Sequence, residues 1–210
     1  MPCSRCKERG LDSNHPIYQC PNKPAIERTI IHRKIPEVSN LSKLMPPDAC
    51  VYMVTLDEGA GFTLANMESN DFGLATEGLS GCVALAAKIP GGVFLSHIYS
   101  KYRNKKDLQI LQLQKNLKAI NDLVETEKPI EWKRFQHDSK YKLILIRSDT
   151  LDTMGDQLGE LLVSAGARIY TGLAAKIAFS PEGHLVSYEK AILSERYTDN
   201  VRESGYGKAI

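Results

Sequence analysis

The stretch T-E-G-L-S-G-C-V-A-L-A-A-K-I-P-G-G-V-F-L-S-H-I-Y, from Thr76 to Tyr99, holds the pattern from which the rest of the fold is read. A small, polar, glycine-bearing approach leads to Cys82, and an apolar run follows. Pro90-Gly91-Gly92 then punctuates the chain, and a second apolar run carries His97. Two apolar runs of strand length around Pro and Gly predict a β-hairpin with Cys82 at its start and His97 near its end. A loop of two residues, whether Pro90-Gly91 or Gly91-Gly92, leaves Cys82 and His97 offset by an even number of positions. Both side chains then leave the same face of the sheet. In the tighter register they are diagonal neighbours about 7–8 Å apart at the backbone. A three-residue loop or a bulge would break this relation.

That placement has a chemical meaning. The thiolate is the nucleophile, and a free cysteine, with pKa about 8.5, is mostly protonated at neutral pH, so it needs a base beside it. His97 would take the proton from Cys82. Gly78 and Gly81 suit a close backbone approach, and the reading expects the Gly81 amide and the Ser80 hydroxyl to face a developing oxyanion. The same residue types also occur together as ordinary core residues, because cysteine is among the most buried side chains.

Leu79-Ser80-Gly81-Cys82, with His97 on the next strand, resembles the signature of the bacterial toxin glutamine deamidases, the cytotoxic necrotizing factor and Burkholderia lethal factor family. The T-x-x-L-S-G-C pattern that begins at Thr76 is shared with the lethal factor. The resemblance covers about 25 residues. It implies that Cys82 and His97 are the catalytic pair, and that the main-chain carbonyl of Thr76 orients the histidine. It further implies a sheet-rich core flanked by helices, and hydrolysis of a glutamine side-chain amide with no cofactor in catalysis. The family's targets, Rho-type GTPases and a translation-initiation RNA helicase, make a host protein the expected substrate. A toxin or effector that is secreted, or delivered into host cytoplasm, is the expected setting.

Composition sets bounds on the alternatives. The 210 residues suffice for one domain with a full core, and 42% hydrophobic with 25% charged residues is ordinary for a soluble globular chain. A net charge of +2 gives no strong field, so no nucleic-acid surface is indicated. There is no apolar run of membrane-spanning length and no Sec-type leader, so no membrane span is expected. A cytoplasmic protein, or one delivered by a route without such a leader, follows, and a monomer is expected. Five cysteines is an odd count, consistent with a reducing compartment. No P-loop, G-x-G-x-x-G after a strand, G-x-S-x-G or H-E-x-x-H is present, which removes the common nucleotide, serine-hydrolase and zincin readings.

The chain divides into three segments. Residues 1–23 are rich in Cys and His. Cys3 and Cys6 have zinc-knuckle spacing, and His15 and Cys20 would complete a tetrahedral set for a structural zinc. Residues 24–193 form the catalytic domain, and residues 194–210 a loosely held polar tail. Within the domain, strands are expected at 49–56, 62–67, 130–135, 141–147, 168–179 and 185–192, besides the hairpin. Asp57 to Gly61 turns the chain. Lys101, Arg103, Lys105 and Lys106 follow His97 closely, and Lys101 and Arg103 are candidates to grip an acidic rim on the substrate. Asp107 is read as the cap of a helix carrying Leu108, Leu111, Leu113, Leu117, Ile120, Leu123 and Val124. A second helix carries Leu151, Met154, Leu158, Leu161 and Leu162, with Gly166 as its stop. The expected class is α+β: a mixed, mostly antiparallel sheet core of about eight strands flanked by two main helices.

Three other functions fit the same residues. One is a non-catalytic, zinc-containing protein-binding module in which Cys82 is core. The others are a chemoreceptor-type glutamine deamidase and a transglutaminase on a related core.

Overall fold

The structure, a computed structural model, describes residues 31–35, 37–40, 50–66, 71–124, 126–148, 153–180 and 183–190. Among those residues are eleven strands: β1 (Ile31–Lys34), β2 (Glu37–Asn40), β3 (Cys50–Met53), β4 (Gly59–Thr63), β5 (Asp71–Thr76), β6 (Val83–Ile89), β7 (Gly92–Ile98), β8 (Lys142–Arg147), β9 (Tyr170–Leu173), β10 (Ile177–Phe179) and β11 (Leu185–Lys190). The helices are α1 (Lys106–Leu123), the single turn α2 (Arg134–His137) and α3 (Thr153–Ser164).

The predicted hairpin is β6 and β7. Ile89 lies opposite Gly92, so the loop is Pro90-Gly91, the tighter of the two registers. Gly91 has φ +81°, the left-handed conformation such a loop demands and glycine adopts without penalty. The hairpin sits inside a six-stranded sheet of order β1-β9-β8-β6-β7-β4. A second sheet has the order β2-β11-β10-β5-β3, and both sheets mix parallel with antiparallel pairs.

The six-stranded sheet is covered on both faces, which explains why β6 and β7 read as continuous apolar runs. On one face Val83, Leu85, Phe94, Ile98, Leu143 and Leu145 pack with Leu113 and Ile120 of α1 and Met154, Leu158 and Leu162 of α3. On the other, Ala84, Ala86, Val93, Leu95 and Ile146 meet Leu74, Ile177 and Phe179 of the second sheet. The result is three layers: helices, sheet, sheet.

The α+β class therefore holds, with corrections to its layout. There are two sheets rather than one arrangement of about eight strands, and α1 and α3 both lie on one face. The returning strand read at 62–67 is β4, which starts at Gly59, so the turn is confined to Thr55–Glu58, where the Glu58 amide donates to Thr55 O at 3.1 Å. The stretch 130–135 is no strand. It passes through a turn into α2, with the Trp132 and Phe135 rings, three positions apart, in tilted contact at 5.8 Å between centroids. Residues 168–179 form two strands, β9 and β10.

Asp107 lies in the first turn of α1, where its charge favours the helix dipole, while Lys105 is the capping position without a side-chain bond. The buried side of α1 is also more polar than its leucines suggested. Leu108 and Leu111 are exposed, whereas Gln109, Gln112 and Asn116 are buried. Gly166 does stop α3: at φ +86° its amide donates to Val163 O and that of Ala167 to Leu162 O, a Schellman closure. The proposed zinc set, Cys3, Cys6, His15 and Cys20, lies outside the described residues, as do 1–23 and 194–210.

Candidate active site

Three neighbouring strands bring their chemistry to one end of the six-stranded sheet. Cys82 immediately precedes β6, His97 is near the end of β7, and Asp57 and Glu58 immediately precede β4. Since β7 lies between β6 and β4, the histidine stands in the middle, with the thiol on one side and the carboxylates on the other. His97 is paired with Ala84, two positions from Cys82, so thiol and imidazole are the diagonal neighbours that the tight loop requires. Both lie between the two sheets, with Cys82 4% and His97 3% exposed.

The imidazole is held from the second sheet. Thr76, the last residue of β5, is fully buried, and its Oγ1 lies 2.9 Å from His97 Nδ1. The same hydroxyl donates to the carbonyl of Val54 at 2.7 Å. A threonine hydroxyl has one proton to give. With that proton on Val54 O, Oγ1 accepts from Nδ1–H, and the ring lone pair is fixed on Nε2. Nε2 is buried and has no partner among the described residues. Burial lowers the His97 pKa below its ordinary value, and the nearby charge of Asp57 opposes that shift. The ring is therefore a neutral base at pH 7. Thr76 thus reaches the histidine through its side-chain hydroxyl, where the family resemblance implied the main-chain carbonyl.

The segment leading to Cys82 turns tightly. Gly78 and Gly81 have φ +70° and +72°, conformations that L side chains resist. Two backbone donors beside the thiol, including the Gly81 amide expected to be free, are engaged. The Cys82 amide donates to Leu79 O at 2.9 Å, and that of Gly81 to Ser148 Oγ at 3.3 Å. The Ser80 side chain is exposed. An oxyanion at this site would compete with Ser148 for the Gly81 amide.

Lys101 and Arg103, read as substrate-gripping residues, do border the site, but their charges are turned onto it. Lys101 pairs with Asp57 Oδ2, its ammonium 5.0 and 4.9 Å from the ring centroids of Tyr99 and Tyr102. Arg103 Nη2 donates to Gly81 O at 3.4 Å. Both residues are exposed on their outer sides.

Three participants were missed in the sequence: the Val54 carbonyl, Ser148 and Asp57. Backbone carbonyls leave no trace in residue type, and Ser148 is brought in by strand pairing alone. Asp57 did leave a signal, since Thr55 and Glu58 have the spacing of a carboxylate-closed turn. The Glu58 carboxylate accepts from the Thr55 amide at 2.7 Å and from its hydroxyl at 2.8 Å. No group of three or more His, Cys, Asp or Glu residues suited to a metal is present among the described residues.

No protein-family model matches the chain, and no curated protein matches it. Among the described residues no helix is long and apolar enough to cross a membrane.

Proposed function

We propose that this chain is a protein-glutamine deamidase, a cysteine hydrolase that converts one glutamine of a host protein to glutamate. One observation carries the reading. His97 is fixed by Thr76 with its unpartnered Nε2 as the basic nitrogen, on the face of the sheet from which Cys82 projects. A nucleophile, a base and a residue that orients the base make the minimal set for acyl transfer.

The steps follow from these roles. The Cys82 proton passes to Nε2 as sulfur bonds to the carboxamide carbon. The imidazolium returns that proton to the amide nitrogen, the C–N bond breaks, and ammonia leaves a thioester on Cys82. Water then gives a proton to Nε2 while its oxygen bonds to the thioester carbon. The C–S bond breaks, and the imidazolium reprotonates the thiolate. The product carboxylate only accepts hydrogen bonds, where the amide both donated and accepted, so one event disables a target surface. That consequence, together with the L-S-G-C resemblance, supports a toxin or effector role with a Rho-type GTPase or a translation factor as the class of target.

One observation favours a different reading, the binding module with Cys82 as core. Neither Cys82 nor His97 is open to solvent. Incubating host-cell lysate with wild-type protein and with a Cys82→Ser variant separates the two. A glutamine converted to glutamate by wild type alone, found by peptide mass spectrometry, supports the deamidase, and identical samples exclude it. Adding a primary amine to the same reaction distinguishes hydrolysis from transglutamination.

A further inference from the structure

Asp57 is the residue whose conformation is least explained by folding alone. Across β4 and β7, two residues oppose one. The Asp57 amide donates to His97 O, and the His97 amide donates to Glu58 O, each at 2.9 Å. Asp57 has φ +64°. This is the geometry of a G1 bulge, whose left-handed position is ordinarily glycine. Only one other described non-glycine residue, Asn104, has positive φ.

The turn is fastened on every side. Glu58 closes it onto Thr55 and accepts from the Tyr52 hydroxyl at 3.2 Å, while burial and the charge of Glu58 push the Tyr52 pKa up to about 12. Asp57 Oδ2 accepts from Lys101 and, at 3.1 Å, from the Tyr102 hydroxyl. Its other oxygen, Oδ1, is buried and has no partner among the described residues. A buried acceptor without a donor is costly, and a strained residue presenting it at a bulge beside a base is a feature to be explained by what arrives there.

The geometry points to Asp57 as the residue that selects a primary carboxamide, its Oδ1 accepting an N–H of the scissile –C(=O)NH2 group. This rests on the deamidase reading above. With the carboxamide carbon at Cys82 and its nitrogen beside Nε2 of His97, the N–H groups point away from the thiol, toward the third strand. Strands β6 and β4 lie two spacings apart, about 10 Å, which a thiol, a carboxamide and one hydrogen bond together fill. A carboxylate-only acceptor there welcomes the amide and repels the carboxylate product. Glu58 is spent on Thr55 and Tyr52, and of the two carboxylates it is Asp57 whose charge the imidazole feels.

The test needs no knowledge of the target. Alkylation of Cys82 is followed with iodoacetamide, which carries N–H donors, and with methyl iodoacetate, which is neutral and carries none. In each case the thiolate displaces iodide, and each rate is divided by that of glutathione. Wild type should prefer iodoacetamide by roughly tenfold, the worth of one hydrogen bond to a charged acceptor. D57G relieves the left-handed strain and should keep wild-type thermal stability. Its preference should fall to about one through loss of the iodoacetamide rate alone, and D57N should fall between. An unchanged preference in D57G, or an equal loss with both reagents, overturns the inference, because the carboxylate would then act through His97 or not at all. A Cys82 that reacts with neither reagent in the folded protein, or equally fast in a His97→Ala variant, removes the thiol–imidazole reading itself.

Discussion

Thr76 Oγ1 and His97 Nδ1, 2.9 Å apart and contributed by different sheets, fix the tautomer of a buried imidazole. The hydroxyl does so because its own proton is committed to Val54 O. The two sheets must therefore be docked before the imidazole takes this tautomer, which ties the protonation of His97 directly to core packing.

Thr76→Val keeps the shape and removes the hydroxyl. It leaves Nδ1–H and Val54 O unsatisfied in the core, at a cost of about 1–3 kcal/mol. It also frees the ring to adopt the other tautomer. Deamidation should fall by at least about a hundredfold, within the range general-base catalysis contributes, while Thr76→Ser should retain most of it. Urea unfolding, and turnover of whichever protein the lysate experiment shows to be deamidated, check both, and equal turnover of the Val and Ser variants would refute the role.

Cys82→Ser changes volume little and removes the thiolate. The variant should fold with unchanged near-UV circular dichroism and show no ammonia release. Toxicity of this variant toward host cells equal to wild type would exclude Cys82 as nucleophile.

The His97 shift makes a signed prediction about stability. Its folded pKa lies below the ordinary 6.5 because burial disfavours the imidazolium. Between that depressed value and about 6.5 the unfolded chain binds the proton and the folded one does not. Stability from this residue is thus complete above pH 6.5 and is lost as pH falls through the window. The stability difference between wild type and His97→Gln should shift in that sense between pH 7.5 and 5.5, about one unit either side of 6.5. A difference that stays flat, or moves the other way, contradicts the burial.

Gly73 is in β5, three residues before Thr76, at φ +153°, and a Cβ built there would lie 2.2 Å from the carbonyl oxygen of Phe179 in the paired region of β10. Gly73→Ala should cost on the order of 2–3 kcal/mol. Denaturant midpoints measure it, and a change below about 0.5 kcal/mol, the scale of an ordinary surface substitution, would show that β5 accommodates the methyl.

The hairpin and both main helices were legible because their apolar patterns are long and their punctuation is plain. The second sheet was not. Strand β5 begins with an aspartate and carries Gly73, so it reads as loop, and its pairing with β10 is a contact between distant segments that no local pattern encodes. Residues 130–135 alternate like a strand, yet Trp132 and Phe135 pack together by the spacing of a turn. In α1 the leucines misled, since Gln109 and Asn116 are buried through bonds to Tyr102 O, Gln157 and Ser96 that only the assembled fold supplies. For the site, the cysteine and the histidine were visible as residue types in register. Thr76 was named through the family resemblance, though by its carbonyl and not its hydroxyl, whereas the Val54 carbonyl, the Ser148 hydroxyl and the Asp57 bulge were not visible, because strand pairing defines them.

The parallel pairs at the sheet edges have a consequence for the ribosome. Ile31 pairs with Tyr170, and Glu37 with Ser187, so each of the first two strands waits for a partner from near the other end of the described chain. During synthesis β1 and β2 emerge early with their edges uncovered, while the β6–β7 hairpin can close locally. Vectorial production of this protein should pass through a nascent chain in which β1 and β2 are unpaired, and those strands are where a chaperone would be expected to hold it.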